Sequence, residues 1–234
     1  MKNTVAFILL LFVLQANAQG AKRLFSKDPI INHENFDKQR VYWGYFLGLN
    51  FYDYKFDYKN PGKEIIVDRT SGFNVGLVGD LRLHEYVNLR FEPGLYYTQR
   101  NLTFPDLTKE IDRKRQVGAT YIHFPFLLKF SSLRTGNIRP YLVGGLSSTM
   151  NLSSNSASLD DNKQQKFRVK RMTSNYELGF GIDFYLEYFK FSPSIRGVFG
   201  LKDELIRDID PNSPWTGNVQ SMKTRAVLIN FTFH

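Results

Sequence analysis

Across residues 174–202 the chain alternates apolar and polar side chains in two successive runs, a pattern that an extended strand with two unlike faces satisfies and a helix does not. In the first run Tyr176, Leu178, Phe180, Ile182, Phe184 and Leu186 share one face, opposed by Glu177, Gly179, Gly181, Asp183 and Tyr185. After a short break Phe189, Phe191, Pro193, Ile195, Phe199 and Leu201 are opposed by Lys190, Ser192, Ser194, Arg196 and Lys202. A half-buried strand in water also alternates, but it rarely exceeds about ten residues. Longer strands with aromatics on one face and charge on the other are expected where one face meets lipid and the other lines a barrel.

The same period of two recurs along the chain. Trp43, Tyr45, Leu47, Leu49 and Phe51 oppose Tyr42, Gly44, Phe46, Gly48 and Asn50. Residues 72–83 and 87–97 form two further strands separated by His84, Glu85 and Tyr86, a hairpin spacing. Residues 119–130 put Ile122, Phe124, Phe126, Leu128 and Phe130 outward and Tyr121, His123, Pro125 and Lys129 inward. In residues 140–152 the phase is open, because Leu142 and Leu146 compete with Tyr141 and Val143. Residues 224–234 close the series, with Arg225, Val227, Ile229, Phe231 and Phe233 on one face.

Eight strands result, and the segments between them alternate long and short. The fold expected is therefore an all-β, eight-stranded antiparallel transmembrane β-barrel of the outer-membrane type, with short periplasmic turns, long extracellular loops and both termini periplasmic. Closure removes the strand edges that lipid could not satisfy.

The remaining segments fit an exported chain. Lys2, an apolar run over residues 5–14 and Ala16-Asn17-Ala18 form a signal peptide over residues 1–18, too short to span a membrane as a helix. Residues 19–40 read as a polar periplasmic extension and 41–234 as the barrel. Cysteine is absent, which removes lipid acylation at cysteine, disulfides and thiolate metal sites. The formal charge of +9 suits an anionic lipopolysaccharide surface or an acidic partner; nucleic acid is not expected outside the cell.

The inward faces carry Asp80, Glu92, Glu177 and Asp183 beside Arg82, Arg90, Lys129, Lys190 and Arg196. An eight-stranded barrel is only wide enough for side chains to fill, so these charges are expected to pair with one another. Catalytic, cofactor-binding and metal-binding residues are not expected. The four histidines are scattered without metal-ligand spacing, and the stretch from Asp208 to Asn212 lacks the glycine and glutamate of a calcium loop. The basic run over residues 163–171 reads equally as a loop rim or a docking patch, and Trp215 as loop packing ahead of a membrane anchor.

Several stretches in this order carry a family likeness. They are Tyr42-Trp-Gly-Tyr-Phe-Leu-Gly-Leu-Asn50, Asn88-Leu-Arg-Phe-Glu-Pro-Gly-Leu95 with Gln99-Arg100, and Thr120-Tyr-Ile-His-Phe-Pro-Phe-Leu-Leu-Lys129. Arg139-Pro-Tyr141, Gly179-Phe-Gly-Ile-Asp-Phe184 and Phe189-Lys-Phe-Ser-Pro193 complete the set. Together they resemble the PorT family of small outer-membrane barrels from Bacteroidetes, from about Asp37 to the C-terminus. The resemblance implies a non-enzymatic accessory role in type IX protein secretion, in some organisms linked to gliding motility, with other secretion components, outer-membrane lipids and the barrel-assembly machinery as partners. Surface adhesion or ligand binding is the alternative. Phe231 and Phe233 are expected to form the C-terminal assembly signal, although His234 follows the aromatic on which such barrels usually end.

Overall fold

The computed structural model describes residues 31–62 and 64–234; the expected signal peptide and residues 19–30 of the extension lie outside the described residues. The strands are β1 (Val41–Tyr58), β2 (Ile66–Arg69), β3 (Ser71–Arg82), β4 (Val87–Phe91), β5 (Gly94–Thr103), β6 (Lys114–Ser131), β7 (Ile138–Asn151), β8 (Met172–Tyr185), β9 (Lys190–Gly200) and β10 (Val219–Phe233). A short helix, α1 (Glu110–Arg113), precedes β6. Neighbours are antiparallel throughout, and β1 pairs with β10 on one side and β3 on the other, which closes the sheet into a barrel.

The ten segments make eight staves. β4 and β5 are one stave interrupted at Glu92 and Pro93, where proline has no N–H for the ladder. The same register resumes beyond the gap, with Gly79 opposite Phe91 and Gly76 opposite Gly94. β2 continues β3 after a one-residue bulge at Thr70. Phe73 lies opposite Tyr97, so unbroken pairing would set Arg69 opposite Asn101, yet Arg69 sits opposite Arg100.

The expected alternation holds along the staves. Trp43, Tyr45, Leu47 and Leu49 of β1 are exposed on the outer wall, while Tyr42, Phe46 and Asn50 are buried inside. The open phase of β7 is decided by its neighbours: Tyr141 and Val143 are buried inward, and Leu142 and Leu146 face out. Three expected loops are shorter than the sequence suggested, because β2 occupies residues 66–69, β5 runs on to Thr103, β6 starts at Lys114 and β10 at Val219. At 18 residues, β1 and β6 exceed the 9 to 11 or so that cross a bilayer, so their surplus stands clear of the apolar wall. In these extensions charge replaces the apolar residues of the outer face, Asp53, Lys55 and Asp57 in β1 and Lys114 in β6, so apolar alternation does not reveal them.

Two buried clusters follow. Phe46, Tyr52, Val78, Tyr96, Tyr121, Val198 and Leu228 fill the middle of the barrel. Tyr54, Leu102, Phe104, Phe167, Leu205, Trp215 and Met222 form a second core beneath the long loops. Residues 31–40 and the C-terminus lie at the opposite end, beside the short turns.

Candidate functional site

The interior charges form a connected chain of contacts. Arg90 of β4 grips Asp80 of β3 with two hydrogen bonds, Nε to Oδ1 at 2.9 Å and Nη2 to Oδ2 at 2.7 Å. Its Nη1 donates to Glu92 at 3.2 Å. Arg196 of β9 bridges onward, 2.8 Å from Glu92 and 3.0 Å from Glu177, the second an ionic contact without hydrogen-bond alignment. Glu177 meets His123 Nε2 at 2.6 Å, and the other ring nitrogen lies 2.7 Å from the Thr149 hydroxyl. A second branch joins Lys129 to Asp183 Oδ2 at 2.6 Å, while Ser192 donates to Oδ1 at 2.6 Å and the Lys190 ammonium lies 4.0 Å from Oδ2, an ionic contact without a hydrogen bond. Four carboxylates thus meet four cations, Arg90, Lys129, Lys190 and Arg196, all but lost to solvent. Charge balance is what allows such a set to be buried at all.

Of the interior residues expected from sequence, Arg82 stands apart. It is the last residue of β3, and there its guanidinium donates to the Lys38 carbonyl at the short-turn rim, 3.3 Å away. One partner that the sequence pattern left without a role belongs to the network: His123, which faces inward and meets Glu177. The signal for His123 was its phase on β6 opposite a carboxylate-bearing stave.

The short-turn mouth is closed by the chain itself. Residues 31–40 fold across it: the Asn32 amide donates to Asn137 at 2.9 Å, and its side chain donates to the Tyr185 carbonyl at 3.0 Å. The Asp37 carboxylate accepts from the Tyr185 hydroxyl and lies 3.4 Å from Arg139. Phe36 enters the mouth, tilted against Tyr42 with centroids 5.0 Å apart, and the Lys190 ammonium sits 4.6 Å from its ring. His234 pairs its backbone with Lys190 and turns its ring inward, edge-on to Tyr42 at 5.4 Å. The last residue therefore belongs to the interior, while Phe231 and Phe233 face outward and pack on Phe191, and Phe233 also stacks on Tyr45 at 5.3 Å. No periodicity marks residues 31–40, so their docking was not legible.

The long-loop mouth is capped. Trp215, buried at 8% exposure, donates from its indole to the Asp112 carbonyl at 2.9 Å. Asp208 accepts from the Asn162 side chain at 2.9 Å and from the hydroxyls of Ser213 and Thr216. Its carboxylate ties two loops together, and among the described residues no cluster of His, Cys, Asp or Glu is suited to a metal. The basic run is engaged locally: Lys166 meets Asp160 at 2.6 Å, and Lys170 donates to the Asp203 carbonyl at 2.7 Å.

Below the cap, Arg100 is fully buried over the Tyr54 ring, 4.0 Å from its centroid, and donates to the Tyr121 hydroxyl. Glu204, in the loop above, accepts from the Thr224 amide at 3.1 Å and hydroxyl at 2.8 Å. Burial pushes the Glu204 carboxyl up from the usual range, with the Thr224 hydrogen bonds and Arg100 holding it back. Its neighbour Asp203 moves the other way. Burial pulls it up too, but amide hydrogen bonds from Met222 and Leu205 and the contact with Arg207 bring it down. Among the described residues the barrel interior is filled by side chains, and its two mouths are covered by residues 31–40 and by the loop core.

No curated protein matches the sequence. Among solved structures, the outer membrane protein OprG from Pseudomonas aeruginosa is 14% identical, covering 82% of this chain and 93% of its own, with a TM-score of 0.46. Neisserial surface protein A is 7% identical over 83% of this chain and 98% of its own, TM-score 0.44. Ail of Yersinia pestis, in complex with a heparin analogue, is 11% identical over 83% of this chain and 99% of its own, TM-score 0.39. Residues 17–205 match the family model for the outer membrane protein beta-barrel domain, and this chain, a barrel of the outer membrane, belongs to that family.

Proposed function

We propose that this barrel is a non-enzymatic scaffold in protein export across the outer membrane, an accessory component of type IX secretion, linked to gliding where the host glides. The observation that carries this reading is the sealed interior. Ion pairs fill the lumen from Asp80 through Arg90, Glu92 and Arg196 to Glu177. Residues 31–40 cover one mouth and the loop core covers the other. Cargo has no route through such a barrel, so its contribution to export is made by its surfaces. The short-turn end is assigned to the periplasm, in keeping with the alternation of short turns and long loops in outer-membrane barrels. This places the folded cap outside the cell and residues 31–40 within reach of periplasmic components.

Deleting the gene in the native host tests the reading. Cargo proteins should accumulate in the periplasm, and export components should co-purify with the tagged barrel. Normal secretion by the deletion strain would sink it. The alternative, a surface-ligand barrel, is favoured by the folded cap with its exposed Lys163, Lys166 and Lys170. It predicts that trimming loop residues 152–171 abolishes surface binding while export stays intact.

A further inference from the structure

Where β1 and β2 part above Phe51 and Ser71, the wall opens into a cleft of about 300 Å3. At its lip two arginines from different strands converge on one acid. Arg225 of β10 contacts Asp53 Oδ2 through Nε at 2.8 Å and Nη2 at 2.7 Å, and Arg69 reaches the same oxygen at 3.6 Å. The other Asp53 oxygen accepts from the Tyr54 amide at 2.8 Å. Asp53 is covered, whereas the Arg225 and Arg69 side chains stay 52% and 63% exposed. Lys55, also outward, adds a third cation in loose contact with Asp57 at 3.9 Å. One acid cannot neutralise two guanidiniums, so the lip keeps excess positive charge.

Its height on the wall decides what meets it. One outward step down β1 from Asp53 is Phe51, and one step down β10 from Arg225 is the exposed Val227. The cations therefore stand directly above Phe51 and Val227, at the upper edge of the apolar wall, where Phe199 lies opposite Arg225. A lipid whose chains lie along that wall carries its head group at this level.

We propose that the cleft lip between Arg69 and Arg225 binds the phosphate of an anionic lipid head group, with the acyl chains on the wall beneath. Guanidinium pairs suit phosphate because their planar donors match its oxygens two at a time. The outer leaflet, and hence a lipopolysaccharide phosphate, follows from the orientation proposed above. Lipid binding itself does not depend on that orientation.

The test uses the full chain in nanodiscs of phosphatidylcholine doped with either phosphorylated or dephosphorylated lipid A, with retained lipid counted by native mass spectrometry. Wild type should retain the phosphorylated form about tenfold more, and R69Q/R225Q should lose that preference. D53N, which frees both guanidiniums, should raise retention; a cluster with a purely structural role would instead leave retention unchanged. Equal retention of the two lipids, or an unaffected double variant that still shows the heat-modifiable mobility of a folded barrel, overturns the proposal. Complete displacement by inorganic phosphate would reassign the site to the free anion and overturn the lipid. Orientation is read separately, by protease access to the long loops on intact cells.

Discussion

Replacing Arg196 with Met withdraws a buried guanidinium from two carboxylates at once. Glu92 and Glu177 lie 2.8 Å and 3.0 Å from it, and the three side chains are 5% exposed or less. At an effective dielectric of about 20 each contact has a gross attraction of about 5 to 6 kcal/mol, most of it offset by lost hydration. The relevant quantity is what remains when one partner goes, since the other charges stay buried. Glu92 would keep Arg90 at 3.2 Å and Glu177 would keep His123 at 2.6 Å, so neither is wholly abandoned. A loss of about 3 to 5 kcal/mol is expected. The control is Arg207→Met, whose contact with Asp203 at 3.0 Å is partly solvated and should be worth about 0 to 1 kcal/mol. Urea unfolding in lipid bilayers, followed by tryptophan fluorescence and by the gel mobility of the folded barrel, measures both. Adding Glu177→Gln to Arg196→Met should recover part of the loss, because it removes a stranded charge and keeps a hydrogen-bonding group beside His123. If Arg196→Met costs no more than Arg207→Met, the interior is hydrated and the argument for a sealed lumen fails.

Three further outcomes can be checked. Asp37→Ala removes the acceptor for Tyr185 and the contact with Arg139, so residues 31–40 should undock and Lys38 should become a rapid trypsin site; unchanged cleavage would mean Phe36 and Asn32 suffice. Gly181→Val should destabilise the barrel by about 1 to 3 kcal/mol through overpacking, because the Tyr141 ring occupies the space a side chain at 181 would need; a neutral result would show that Tyr141 can swing away. The raised carboxyl of Glu204 favours its protonated form in the folded cap. Its contribution to stability is therefore full below the ordinary glutamate value of about 4.3 and lost as pH rises through the elevated folded value. Protection of the Thr224 amide, taken relative to its intrinsic exchange rate at each pH, should fall over that window in wild type and change little in Glu204→Gln. The opposite pH trend would mean that Asp203, shifted downward, governs the cap.

Period-two alternation by itself determined the staves, the eight-fold count and, in every stave except β7, the inward and outward faces. Each of these depends on a residue's neighbours one and two positions away. The charges at 80, 90, 92, 129, 177, 183 and 196 could likewise be placed inside, because a narrow barrel leaves nowhere else for the inner face to point. Which charge meets which could not be read, since Arg196 joins Glu92 to Glu177 only through the stagger of β4, β8 and β9 around the ring. The phase of β7 also needed its partners, because Gly144 and Gly145 erase the local pattern and pairing with β6 and β8 restores it. Residues 31–40 and the long loops have no period to read. Their positions come from long-range contacts such as Asp37 with Tyr185 and Trp215 with Asp112. Whether the barrel is open or sealed was therefore decided by tertiary structure, because sealing depends on contacts between segments more than a hundred residues apart in sequence.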